Sequence, residues 1–227
     1  MRACTPALIA GSLLIAAPWA WALPSDALAT PSASSSAQGP APDAAAVAVY
    51  NTGVALLKRA DQLDAAAAGA TGEARAQAQT SARAAYEEAR AKFQEAAQRD
   101  PSLPEAWNNL GYTRRKLGDY EAALAAYARA LALRPDYPEA LEYRGEAYLR
   151  MGRIEAAKQA YMDLFVTNRA VAKHFLASMQ DWIATRKSKP ATNADALADL
   201  EKWVRERSQI AEQTAALTRE GTAANWR

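Results

Sequence analysis

Few side chains in this chain are of a type that does chemistry, and none sits in a recognisable constellation. A single histidine, His174, cannot build a multi-histidine metal site. It neighbours Phe175 on a helical stretch, so it reads as an exposed or cap-packed imidazole instead of a catalytic base. Carboxylates gather at Glu87-Glu88 and at Glu139, Glu142 and Glu146. A glycosidase needs two such groups flanking the scissile bond, and nothing in this spacing singles out a pair. There is no Gly-x-Ser-x-Gly elbow and no Gly-x-x-x-x-Gly-Lys-Ser/Thr phosphate loop. The reading is a chain that is not an enzyme and takes no cofactor and no metal.

The elements around these residues are all helical. Alanine and leucine dominate, β-branched residues do not run together, and no stretch alternates with period two. Net charge is +2, from 27 Lys and Arg against 25 Asp and Glu. That balance argues against a strongly basic nucleic-acid binder. The organising signal is a repeat. Trp107-x2-Leu110-Gly111, Gly118, Glu121, Ala123-x3-Tyr127, Ala130 and Pro135 recur in part 34 residues later. Gly111 pairs with Gly145, Gly118 with Gly152, Glu121 with Glu155, Ala123 with Ala157 and Tyr127 with Tyr161. Pro104-Glu105-Ala106 returns as Pro138-Glu139-Ala140. One step back, Glu87, Ala89, Phe93, Ala96 and Pro101 anticipate the series.

Small residues at these positions let two antiparallel helices approach: Gly111, Ala123 and Ala130 in one unit, Gly145 and Ala157 in the next. Trp107, Leu110, Tyr120, Leu124 and Tyr127 fill the rest. Gly118 suits a left-handed helix end, and Asp119 suits the cap of the following helix. Pro101 and Pro135 follow helices that their rings could not continue, and Pro104 and Pro138 suit first turns.

A 34-residue period with these residues resembles the tetratricopeptide repeat. The resemblance covers residues 45–168 or thereabouts. It implies an all-α, short tetratricopeptide-type solenoid of antiparallel helix hairpins with a C-terminal helical cap. Residues 104–137 form one repeat. Residues 138–168 form an atypical end, because Leu141, Arg144, Leu164 and Arg169 replace the expected tryptophan, leucine, small residue and proline. Tyr50 to Leu57 opens a further unit over residues 44–103, with Gly53 in the role of Gly111. Gly111 to Ala123 spans 12 positions but Gly53 to Ala89 spans 36, an excess of 24. Both helices of that hairpin should lengthen by about 12 residues, or ~18 Å each. The polar tip around Gly69-Ala70-Thr71-Gly72 should be solvated.

In this family the first helix of each unit lines a concave groove. Counting around those helices from Trp107 and Gly111 gives the groove-facing candidates. They are Tyr50, Val54, Leu57 and Lys58, then Asn108, Tyr112, Arg115 and Lys116, then Glu142, Glu146, Leu149 and Arg150. Such a mixture suits an extended peptide or a partner helix. Some relatives grip a C-terminal carboxylate with asparagine, lysine and arginine. Asn109 matches one such asparagine, but Tyr112, Glu139 and Tyr143 stand where the others are needed, so that function does not carry over.

The two ends of the chain complete the reading. Arg2, the apolar residues 7–17 and Ala20-Trp21-Ala22 read as a signal peptide over 1–22, with Ala27-Leu28-Ala29 as a second cut. Pro18 interrupts an apolar run already short for a membrane span. Cys4 would leave with the signal. Residues 23–43, rich in Pro, Ser and Ala, read as a disordered tether, with Asp43 capping the first helix. Residues 169–227 carry apolar stripes at Val171, Phe175, Met179 and Trp182-Ile183, then at Leu197, Leu200, Trp203, Val204, Ile210 and Leu217. They read as capping helices. The expectation is a periplasmic (or secreted) interaction scaffold of the bacterial envelope that binds another protein, with no stable membrane span after cleavage. The alternatives are a subunit of an envelope polymer-processing enzyme and a self-associating structural protein, a homo-oligomer.

Overall fold

Helix starts and stops follow local chemistry. Asp43 caps α1 (Ala44–Gly69), accepting from the Ala45 amide at 2.9 Å. Gly72 opens α2 (Gly72–Arg99). Proline stands in the first turn of both α3 (Pro104–Leu117) and α5 (Pro138–Arg150), where a missing N–H leaves no helical bond unmade. Gly118 ends α3 with φ 87°, a left-handed geometry in which its own N–H reaches Arg115 O and the next one reaches Arg114 O. Asp119 caps α4 (Tyr120–Leu133) through the Ala122 amide. Asn168 ends α6 (Ile154–Thr167) and its side chain caps α7 (Arg169–Lys187). Last comes α8 (Ala194–Ala224). This computed structural model describes residues 43–188 and 194–224, with 217–224 by backbone alone. The expected signal, Cys4, nearly all of the tether and the Leu217 side chain lie outside the described residues.

Successive helices pair as antiparallel hairpins, and the hairpins stack. α3 packs on α5 and α5 on α7, whereas α2, α4 and α6 make no comparable contact with one another. α3, α5 and α7 therefore form the tighter layer, the inner one in a stack of this kind. Glycines set the spacing. A Cβ on Gly53 would meet the Phe93 ring at 2.8 Å, and one on Gly111 the Tyr127 ring at 2.5 Å. Phe93 and Tyr127 are fully buried.

The third hairpin is built differently. Gly145 faces the Phe175 ring of α7 instead of Tyr161. Tyr161 turns to the end of the stack, where Trp203 of α8 meets it edge-on at 5.3 Å. In place of Trp107, Leu141 leaves an open hollow of about 520 Å³ beside Arg144, Met162 and Val166.

The first hairpin is the long one: 26 and 28 residues in α1 and α2, against 14 each in α3 and α4. Its extra turns are not all solvated. Asp61 accepts from the hydroxyls of Tyr86 and Tyr112, at 2.6 and 3.0 Å. Asp64 pairs with Lys116. Only beyond Asp64 does the tip become alanine-rich and mostly exposed.

α7 and α8 continue the two layers as a fourth hairpin. Leu200 and Val204 are buried against it, and Lys187 bridges to Glu201 at 2.6 Å across the outer seam. The outward face carries Gln180, Lys187, Arg205 and Glu212, a polar rim that suits the last unit of a stack.

Candidate interaction surface

The concave layer is lined by α1, α3, α5 and α7, and most of its polar groups are satisfied within the chain. On α1, the Tyr50 ring lies 5.6 Å from Phe93, and its hydroxyl accepts from Asn109 at 3.1 Å. Leu57 is half-buried against Ala60 and Tyr86, while Val54 and Lys58 are exposed.

On α3, Asn108 is a correction to the groove-facing expectation: it is 3% exposed, and its amide donates to Asn109 at 3.3 Å. Tyr112 is half-buried, held by Asp61 and by an edge contact with Tyr143 at 5.1 Å. Lys116 is held by Asp64 and lies over the Tyr86 ring. Arg115 is the centre of the face. Its guanidinium lies 5.1 Å from the Tyr112 ring and 5.1 Å from the Tyr143 ring, and it pairs with Glu146 at 2.6 Å. Only 11% of the Arg115 side chain is exposed. Burial opposes its charge, but Glu146, Tyr127 and Tyr112 outweigh burial, and its pKa is raised.

On α5, two further expectations are corrected. Leu149 is 2% exposed, because α7 covers the last turn of α5. Glu142 is 6% exposed and is met by Nδ1 of His174 from α7. Burial raises the Glu142 carboxyl, and the bond to Glu142 raises His174. Glu146 is engaged by Arg115, and Arg150 is exposed. Burial also raises the hydroxyls of Tyr50, Tyr112 and Tyr143, which stay protonated at ordinary pH.

Of the twelve candidates, the open positions are thus Val54, Lys58 and Arg150. Sequence reasoning missed the α7 contribution. Ser178, Asp181, Trp182 and Thr185 join Glu146, Leu149 and Arg150 around a cleft of about 190 Å³. No repeat signal could find it, because a 34-residue step from Gly145 lands on Met179, a fully buried core residue. Asp61 and Asp64 were missed because the lengthened turns have no counterpart in other units.

The chemistry on offer is recognition. The tyrosine hydroxyls are neutral, and Asp61 and Glu146 already have partners. Among the described residues no group of three or more His, Cys, Asp or Glu side chains converges. A carboxylate clamp is not formed either: Asn109 is spent on Tyr50, Arg115 on Glu146 and Lys116 on Asp64.

Comparison with known proteins agrees on the repeat. A family model described as a tetratricopeptide repeat matches residues 92–125, and one described as a TPR repeat matches residues 111–152. No curated protein matches. Among solved structures, the chain is similar to the first TPR of Spaghetti (RPAP3) bound to the HSP90 peptide SRMEEVD. Identity is 20% and the TM-score 0.46, over 61% of this chain and 93% of that one. The second TPR of the same protein, bound to the same peptide, has 19% identity and a TM-score of 0.42, over 54% of this chain and 92% of that one.

Proposed function

We propose, from the tetratricopeptide-repeat match of residues 92–152, that the protein is a non-catalytic scaffold of the bacterial cell envelope. Its concave face holds a peptide or helix of another envelope protein. The observation that supports this reading is the division of labour on the odd-helix layer. Asp61 holds Tyr112 and Glu146 holds Arg115, which makes a preformed floor. Val54 and Lys58 on α1 and Arg150 on α5 are left open, Arg150 beside the α5–α7 cleft with the indole of Trp182. A preformed surface of this kind loses little conformational entropy on binding.

Photo-crosslinking from single positions tests it. A crosslinking residue at Val54 or Arg150 should trap one dominant adduct in cells, and the same residue at Ala125 or Ala128 on α4, on the opposite layer, should trap none. Adducts from α4 alone would reverse the choice of face. An adduct of twice the protein's own mass would mean that the concave face binds a second copy.

The envelope address is supported by the sequence of residues 1–22. Among the described residues no helix is long and apolar enough to cross a membrane. N-terminal sequencing of the exported protein should read Leu23, or Thr30 if the second site is used. Recovery of Met1 from the envelope fraction would remove the address while leaving the scaffold reading intact.

A further inference from the structure

We infer that His174 is a positioning residue of the concave face: as a cation it clasps α7 to the buried Glu142 of α5, and loss of its proton loosens α7 as the last wall of the groove. The two partners are unequally placed. The His174 side chain is 74% exposed and exchanges protons with solvent, whereas the Glu142 side chain is 7% exposed. Next to the clasp, Phe175 packs against Gly145, and Met179 is fully buried. Beyond them lies the cleft lined by Glu146, Leu149 and Arg150 on one side and Ser178, Asp181 and Trp182 on the other. The clasp thus sits at one end of the α5–α7 seam and the recognition cleft at the other.

The charged groups around the clasp favour this role. Glu142 and Glu146 of α5 are the groups that act on His174, and both hold it in the cationic form. Arg115 of α3 acts on Glu142 and is itself bound to Glu146. Neither α6 nor α8 supplies a charge that acts on His174 among the described residues. When the imidazole is neutral, Glu142 keeps its charge in a buried site beside Glu146, and the seam is the part that can give.

The direction with pH follows. His174 is raised above its ordinary value, so the clasp holds below that value and is lost as pH rises through the folded pKa. Glu142 is raised by burial, so in acid it takes up a proton and the ion pair is lost there too. The charged clasp exists between these two titrations.

That α7 walls a binding groove rests on the function proposed above; the coupling of His174 to α7 does not, and it is tested without any partner. His174 is the one histidine of the chain, so its imidazole signal needs no assignment. NMR titration of the full chain should show the His174 midpoint lower in Glu142→Gln than in wild type. The Trp182 indole signal, assigned with Trp182→Phe, should move with the His174 midpoint in wild type. In His174→Gln, an exposed change that leaves the fold in place, that movement should vanish. A Trp182 signal that ignores the His174 titration would overturn the inference, as would a His174 midpoint unchanged in Glu142→Gln.

Discussion

Gly111→Leu should destabilise the protein by about 3 kcal/mol or more, the upper end of what overpacking a core does. The first atom added is already too many. A Cβ would lie 2.5 Å from Cε1 of Tyr127 and 2.7 Å from Cδ1, and the ring cannot retreat. Tyr127 is fully buried, with Tyr143 6.3 Å away on one side. The two helices must separate, which also strains the seat of α5 above them. With a urea dependence of ~2 kcal/mol per molar for a domain of this size, the midpoint should fall by ~1.5 M. Gly69→Ala is the contrast. Nothing lies within 4 Å of a Cβ there and its backbone is ordinary, so the change should raise stability by ~0.4–1 kcal/mol through the unfolded chain alone. Equal shifts for the two variants would mean that the glycines do not set the helix spacing.

The glycine positions were legible because a packing constraint repeats with the helix that creates it. The 34-residue step links Gly111 to Gly145 and Tyr127 to Phe93, whereas Gly53, displaced by the 24-residue excess, is found by the likeness of its helix to the opening helix of a repeat. It fails where the partner changes. Tyr161 keeps its place in the series, yet Gly145 meets Phe175, a residue outside the period. The groove was legible in part for the same reason. Counting around a helix tells which way a Cα–Cβ bond points, but not what fills the space it points into. Val54, Lys58 and Arg150 are left exposed. Leu149 is covered by α7, and Glu142 is met by His174, because α7 belongs to a fourth hairpin that carries no repeat signature. The lengthened hairpin shows the limit most clearly. Its two-part excess could be counted, but Asp61 and Asp64 reach back to Tyr112 and Lys116 on α3, and no periodic rule places those carboxylates.

Arg115 was expected on an open groove, where truncation would cost little stability. Its surroundings imply the opposite. Arg115→Ala should destabilise the fold by ~3 kcal/mol, toward the lower end for breaking a buried ion pair. The lower end applies because Glu146 retains 20% exposure and can recover some hydration. Two losses combine. Glu146 is left as an uncompensated carboxylate near Glu142, and the slot against the Tyr112 and Tyr143 rings is left empty. Arg115→Met refills the slot without the charge, so it should recover the packing part and leave the carboxylate unanswered. Arg115→Met with Glu146→Leu removes both charges and should fall within ~1 kcal/mol of wild type. Arg115→Lys should rescue poorly, because an ammonium lacks the planar face that packs against the two rings while reaching Glu146. Chemical denaturation of the four variants separates these outcomes. If Arg115→Ala unfolds within ~0.5 kcal/mol of wild type, the guanidinium is a surface group free to meet a partner. If the predicted order holds, Arg115 ties the second unit to the third and fixes the curvature of the face on which any partner must sit.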